Sequence, residues 1–156
     1  MTQRPRATGF TTIELLVAVV VVGILTAVAL PTFLDSIRKG RRSEAFSAIA
    51  AVQQKNERWR SSHAQYSTSL DSTHLDFPST TPTGYYTITV AGSGATGDTL
   101  DNAYTVSAIA VSGTSQANDT QCSSLSSRVR AGVVEYAGCA GCSTFSYAAT
   151  NACWSR

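Results

Sequence analysis

The sequence predicts an α+β protein in which one long N-terminal helix, apolar in its first half and amphipathic in its second, packs on a small antiparallel β-sheet. Three observations carry that prediction. Residues 15–34 hold no charged side chain, enough for one bilayer crossing of roughly 30 Å if helical. The helical pattern then runs on, one-sided, to about Ser61. Beyond it the composition shifts to Ser, Thr and Gly with short alternating runs, the period of half-buried strands. A chain of 156 residues has room for one domain and an appendage, which argues against a multidomain enzyme. With 14% charged and 43% apolar residues, neither a disordered chain nor a polytopic membrane protein fits.

Within the apolar run, Gly23 and Pro31 bracket the weakest stretch, because Gly costs about 1 kcal/mol and Pro about 3 kcal/mol in a helix interior. Past Pro31 the apolar residues Phe33, Ile37, Ala45, Ala48, Ile49, Val52 and Trp59 recur at three- or four-residue steps or multiples of them. Arg38, Lys39, Arg41, Arg42 and Glu44 fall between. That stripe is expected to cover a separate core. A helix over 10–61 would be about 75 Å long, so its first half is expected to project. Residues 62–84, with Pro78 and Pro82, read as a surface loop. Alternation over 85–90, 104–111 and 133–136 predicts a sheet of three or four strands, with Gly92, Gly94 and Gly97 turning between the first two. All four cysteines, Cys122, Cys139, Cys142 and Cys153, lie in the last 35 residues, and in an exported tail they imply two disulfides among three possible pairings.

The net charge of +2 hides differently charged blocks. Seven cations and three acids give residues 35–60 a net +4, whereas six acids and three arginines leave 61–156 at −3. The cations after the span outnumber Arg4 and Arg6 before it, so the positive-inside rule alone would hold the C-terminal part in the cytoplasm; the cysteines oppose that. A cleavable signal peptide ending at the small residues 27–29 is opposed by Glu14 at the head of the apolar run and by a helical pattern that continues well beyond.

The string Gly9-Phe10-Thr11-Thr12-Ile13-Glu14-Leu15-Leu16, after a short basic leader, resembles the class III signal of the type IV pilins and their pseudopilin relatives. The resemblance is strong over about residues 5–60. It implies that a prepilin peptidase of the inner membrane cuts between Gly9 and Phe10 and methylates Phe10. It implies domains 1–9 (leader), 10–34 (membrane and assembly helix) and 35–156 (head, with helix 35–61, loop 62–84 and a sheet with a disulfide-bonded C-terminal region over 85–156). A carboxylate among hydrocarbon costs about 2.5–3.5 kcal/mol and so demands a partner. Cleavage creates one, since an α-amine with a reference pKa of about 7.7–8.0 is mostly protonated at neutral pH. Phe10 and Glu14 are four apart and could share a helix face; in pilins the same acid is thought to attract the amine of a neighbouring subunit. The resemblance further implies loss of helix between Gly23 and Pro31 in assembled pili. The stretch before Cys122 and the ending Cys153-Trp154 are similar to minor pilins, which implies Cys122 paired with Cys153 and leaves Cys139 with Cys142.

The resulting expectation is a minor-pilin-like filament subunit, held in the inner membrane with its head in the periplasm and then extracted into an extracellular pilus, with other pilin subunits as partners and no cofactor. Two alternatives share its N-terminus. One is a pseudopilin of type II secretion. The other is a minor pilin whose head captures DNA in natural transformation, supported in the sequence only by Arg128, Arg130 and Arg156, in a head where phosphate binding would prefer a basic stripe. A thioredoxin-like use of the Cys139 to Cys142 unit would need a helix N-terminus, and a zinc site would need a second C-x-x-C pair. No catalytic triad order, phosphate loop or paired catalytic acids stand out, and no enzyme is expected. His63 and His74 read as isolated in a polar loop.

Overall fold

The computed structural model describes residues 10–142 and 144–154. Gly9 and the rest of the leader, with Arg156 at the tail, lie outside the described residues. The chain divides into two units, Met1–Ile37 and Arg38–Arg156.

In the first unit, Thr11 caps helix α1 (Thr12–Arg60): its Oγ1 accepts a hydrogen bond from the Glu14 backbone N–H at 3.3 Å. The Thr-x-x-Glu spacing is that of a capping box, so Glu14 sits in the first turn, where the helix dipole also favours an acid. Gly23 and Pro31 lie inside the continuous helix. The apolar segment keeps its hydroxyls bonded to the preceding turn, Thr26 to Val22 O at 2.7 Å and Thr32 to Val28 O at 3.4 Å. Every residue from 10 to 36 is exposed.

The second unit packs the C-terminal part of α1 on a four-stranded antiparallel meander: β1 (Tyr86–Ala91), β2 (Ala103–Ala110), β3 (Ser124–Arg130) and β4 (Val133–Cys139), in that spatial order. Ala45, Ile49 and Val52 of α1 meet Ile88, Tyr104, Val106 and Leu125 of the sheet in one core. Leu75 reaches into it from the loop before β1, and Asn56, fully buried on α1, pins that loop by pairing with both the N–H and C=O of Ser67 at 2.9 and 3.1 Å. Arg130 pairs with Val133 across a two-residue turn whose Ala131 and Gly132 have φ of 47° and 80°. Both central residues of such a turn need positive φ, which suits Gly132. The outer edges are partly closed: Thr80 bridges Thr87 on β1, and Ala148 bridges Tyr136 on β4.

Two expectations change. The sequence reading omitted β3, whose SLSSRVR string hides its alternation: Leu125 and Val129 enter the core, while Ser126 is buried by bonding to Ser107 Oγ at 2.8 Å and Val106 O at 3.2 Å. The amphipathic stripe also starts later than expected. Phe33 is 63% exposed, and Arg42, assigned to the solvent face, is buried.

Candidate functional site

Two regions carry the residues singled out by the sequence. In the first unit Phe10 is exposed at the start of the chain's described part, Glu14 lies one turn into α1, and the apolar side chains between them and Leu34 face outward. Nothing approaches the position a Cβ would take on Gly23. A surface this apolar and this continuous is unsuited to water, and small residues along it allow close helix approach in lipid or in a bundle.

The second region is the end of the head where α1 meets the C-terminal segment. Here Cys122 is bonded to Cys153, 31 residues apart in sequence, and Cys139 to Cys142. The first bond is buried in the core. Gly138 of β4 makes room for it, since a Cβ there would stand 2.5 Å from Cys153 Cβ. Trp154 follows, in contact with Phe46 and Tyr136 at ring-centroid distances of 4.8 and 4.7 Å, its indole N–H donated to Ala137 O.

The loop before Cys122 is tied to α1 by a buried ion pair that the sequence reading missed. Arg42 Nε and Nη2 donate to Asp119 Oδ2 and Oδ1, both at 2.7 Å. Asp119 Oδ1 also accepts the N–H of Gln121 and of Cys122 at 3.1 and 3.0 Å, and Gln116 Nε2 donates to Oδ2 at 3.2 Å. Burial pushes the Asp119 carboxyl upward, but the Arg42 hydrogen bonds, the two backbone N–H groups and the guanidinium charge outweigh it, and the net shift is downward. A folded-state pKa below the unfolded one means that the stabilisation is complete above about pH 4 and is lost as pH falls through the depressed value. Thermal melts between pH 2 and 6 are therefore expected to show a falling acid limb that Asp119→Asn flattens; an unchanged limb in that variant would assign the acid sensitivity to other carboxylates.

The structure does not gather Arg128 and Arg130 into a basic stripe. The Arg128 guanidinium pairs with Glu135 at 2.6 Å and stacks 4.3 Å from the Tyr147 ring centre. Arg130 pairs with Asp98 at 2.7 Å. Among the described residues no cluster of three or more His, Cys, Asp or Glu side chains could hold a metal ion.

His63 and His74, read as isolated, come together around Trp59. The His63 ring stacks on the indole at 3.6 Å and 5° between planes, and His74 lies 5.1 Å away at 30°. Helical spacing gave half of this arrangement, since His63 is four residues past Trp59. The return of His74 depends on the loop.

The model of a family described as "Type IV minor pilin ComP, DNA uptake sequence receptor" matches residues 31–126, and that of a "Prokaryotic N-terminal methylation motif" matches residues 4–30. Over 63 residues, 40% of this chain and 29% of the relative, the sequence is 36% identical to the type IV major pilin protein PilA of Myxococcus xanthus. It is 46% identical to the fimbrial protein EcpC of Eikenella corrodens over 25% of this chain and 26% of that one. It is 43% identical to the type IV narrow pilus major component PilA5 of Thermus thermophilus over 30% and 40%. The matches thus span between about a quarter and two fifths of the length of these relatives.

Proposed function

The chain belongs to the type IV minor pilin family described as ComP, DNA uptake sequence receptor, and from that premise we propose that it is a type IV pilus subunit whose head contacts DNA. The observation that carries the subunit reading is the helix surface: residues 10–36 are all exposed, and Glu14 and Asp35 are the charged side chains among them. Such a surface must be covered, by lipid while the subunit waits in the inner membrane and by the helices of other subunits once it is in the extracellular fibre. Repeated heterologous contact of this kind builds a filament.

On this reading the leader is removed between Gly9 and Phe10 by a prepilin peptidase, and Phe10 is N-methylated; the match of residues 4–30 to the methylation motif supports it. The new amine and the Glu14 carboxylate neutralise each other, within one chain or between neighbours. The DNA reading rests on the family description, and it promotes the alternative whose support in the sequence is Arg128, Arg130 and Arg156. Because Arg128 and Arg130 are engaged by carboxylates, phosphate contact there competes with Glu135 and Asp98. The same family match supports a pilus over a secretion pseudopilin.

Glu14→Gln is expected to leave cleavage after Gly9 and methylation intact while reducing the amount in sheared pili at least tenfold. N-terminal sequencing of the mature chain and quantitative immunoblotting of the sheared fraction read the two effects. Undiminished incorporation would refute the role of Glu14, and a mature N-terminus other than Phe10 would refute the processing.

A further inference from the structure

Four cations follow the apolar span directly, on the side where the positive-inside rule does not favour them: Arg38, Lys39, Arg41 and Arg42. Three of them hold the loop before Cys122. Arg38 Nε donates to Ser115 O at 3.3 Å, Arg41 donates to Ser115 Oγ and lies 4.0 Å from the Tyr85 ring centre, and Arg42 pairs with Asp119. Lys39 is exposed instead, on the rim of a hollow of about 780 Å³ between α1 and the C-terminal segment. The buried Arg42 borders the same hollow. Asp119 occupies its Nε and Nη2, so Nη1 is the nitrogen left for a second anion.

We propose that this hollow seats the headgroup of an anionic, hydroxyl-bearing phospholipid of the phosphatidylglycerol class while the subunit waits in the inner membrane. The inference rests on the reading that residues 10–34 are held in that membrane, and adds the lipid and its seat. Lys39 comes five residues after Leu34 in one uninterrupted helix, about 7.5 Å along its axis. The headgroup layer outside the hydrocarbon is about 5–8 Å deep, so a span that ends at Leu34 carries Lys39 to the level of the lipid phosphates. Charge agrees with depth. Arg38, Lys39, Arg41 and Arg42 set against Asp35, Glu44 and Asp119 leave this end of the head positive by one, and Glu44 and Asp119 are already bonded to Thr83 and Arg42.

The polar lining selects among headgroups. Ser43 Oγ donates to Gly40 O at 2.6 Å, and Ser47 Oγ donates to Ser43 O at 2.9 Å. Each hydroxyl has thereby spent its one hydrogen and turns only acceptor lone pairs to a ligand. A phosphate therefore goes to the Lys39 ammonium and Arg42 Nη1, and groups that donate hydrogen go to Ser43 and Ser47. A phosphoglycerol headgroup supplies both halves, an anionic phosphate and free hydroxyls. Choline has no hydrogen to donate, and the ammonium of an ethanolamine or serine headgroup would stand against Lys39. Gln121, whose backbone N–H is held by Asp119 Oδ1 at 3.1 Å, brings to the same hollow an amide able to donate or accept. Nothing stands within 4 Å of the place a Cβ would take on Gly40, so the helix surface is open to the ligand there.

The test reconstitutes the full chain into bilayers of equal parts phosphatidylcholine and phosphatidylglycerol, withdraws it in a mild non-ionic detergent, and identifies the retained lipid by mass spectrometry. Phosphatidylglycerol is expected to be enriched about fivefold, the ratio that one lysine near an anionic headgroup supports. K39Q should lose the enrichment with its melting temperature unchanged, and K39R should keep it. K55Q, the same loss of charge farther along α1, should also keep it. Phosphatidylserine put in place of phosphatidylglycerol should be enriched less, and an excess of free glycerol 3-phosphate should not displace the lipid. A photo-crosslinker at position 47 should label lipid. Enrichment retained by K39Q, equal enrichment of phosphatidylserine, displacement by the free phosphate, or chain-to-chain cross-links in place of lipid adducts overturns the inference. If the chain enters the bilayer and retains both lipids equally, the inference falls and the membrane reading stands. If it does not enter the bilayer, both fall together.

Discussion

Arg42→Met is expected to destabilise the head by about 3–5 kcal/mol, the range found when one partner of a buried ion pair is removed and the other is stranded. Asp119 has side-chain exposure of 3% and would be left with N–H donors but without a cation. The methionine fills most of the space of the aliphatic stem, so the loss reports the charge rather than a cavity. Asp119→Asn keeps an oxygen for the N–H groups of Gln121 and Cys122, so R42M/D119N should recover more than half of what R42M loses. Urea unfolding of the two variants measures both effects. If R42M costs less than about 1 kcal/mol, the pair is solvated and does not tie the loop to α1. The same loop carries Cys122, so R42M is also expected to raise the reactivity of the buried disulfide toward a thiol.

Removing that disulfide by C122S/C153S has an expected cost of about 3–4 kcal/mol, since it closes a loop of roughly thirty residues whose freedom returns to the unfolded chain. For a head of this size the melting temperature should fall by more than about 10 °C. The Cys139–Cys142 bond closes a much shorter ring, so its removal by C139S/C142S should cost about half as much. Gly138→Ala probes the same place without touching sulfur. Its Cβ would stand 2.5 Å from Cys153 Cβ and 2.8 Å from Sγ, and a Cβ held by its own backbone has no flexible end to swing away. The segment must move or the bond must open, at a cost of about 1–3 kcal/mol or more. Scanning calorimetry of the three variants ranks them. A melting temperature for G138A equal to the wild type would show that the C-terminal segment yields freely there.

The α+β fold of one long helix on an antiparallel sheet was legible because it rests on patterns that survive without context. Twenty uncharged residues suit burial in an apolar medium, and the alternation of Ile88 and Val90, or of Tyr104, Val106 and Ala108, allows one strand face to enter a core. What stayed hidden depends on partners far along the chain. Ser126 reads as loop by propensity, yet in β3 its hydroxyl finds Ser107 and Val106, and tertiary hydrogen bonding overrides preference. Arg42 reads as solvent-facing because no local signal announces an aspartate 77 residues later. The capping role of Thr11, by contrast, is a local signal: the Thr-x-x-Glu spacing places Glu14 in the first turn as well as giving it its charge. His74 reaches Trp59 through a loop whose path Asn56 fixes by holding Ser67, a pairing that no periodicity encodes.

The isolated bridges at Thr87 and Tyr136 bear on how such a molecule avoids sticking to itself in the wrong way. An open strand at the border of a sheet offers main-chain donors and acceptors to any extended peptide, the usual start of amyloid-like stacking. Here short return segments occupy part of both borders, and β3 and β4 are joined by a tight turn instead of a long free tail. If the exposed apolar helix is what builds a fibre, as proposed, its growth and unwanted strand-edge aggregation use separate surfaces, the first greasy and helical, the second blunted within the fold.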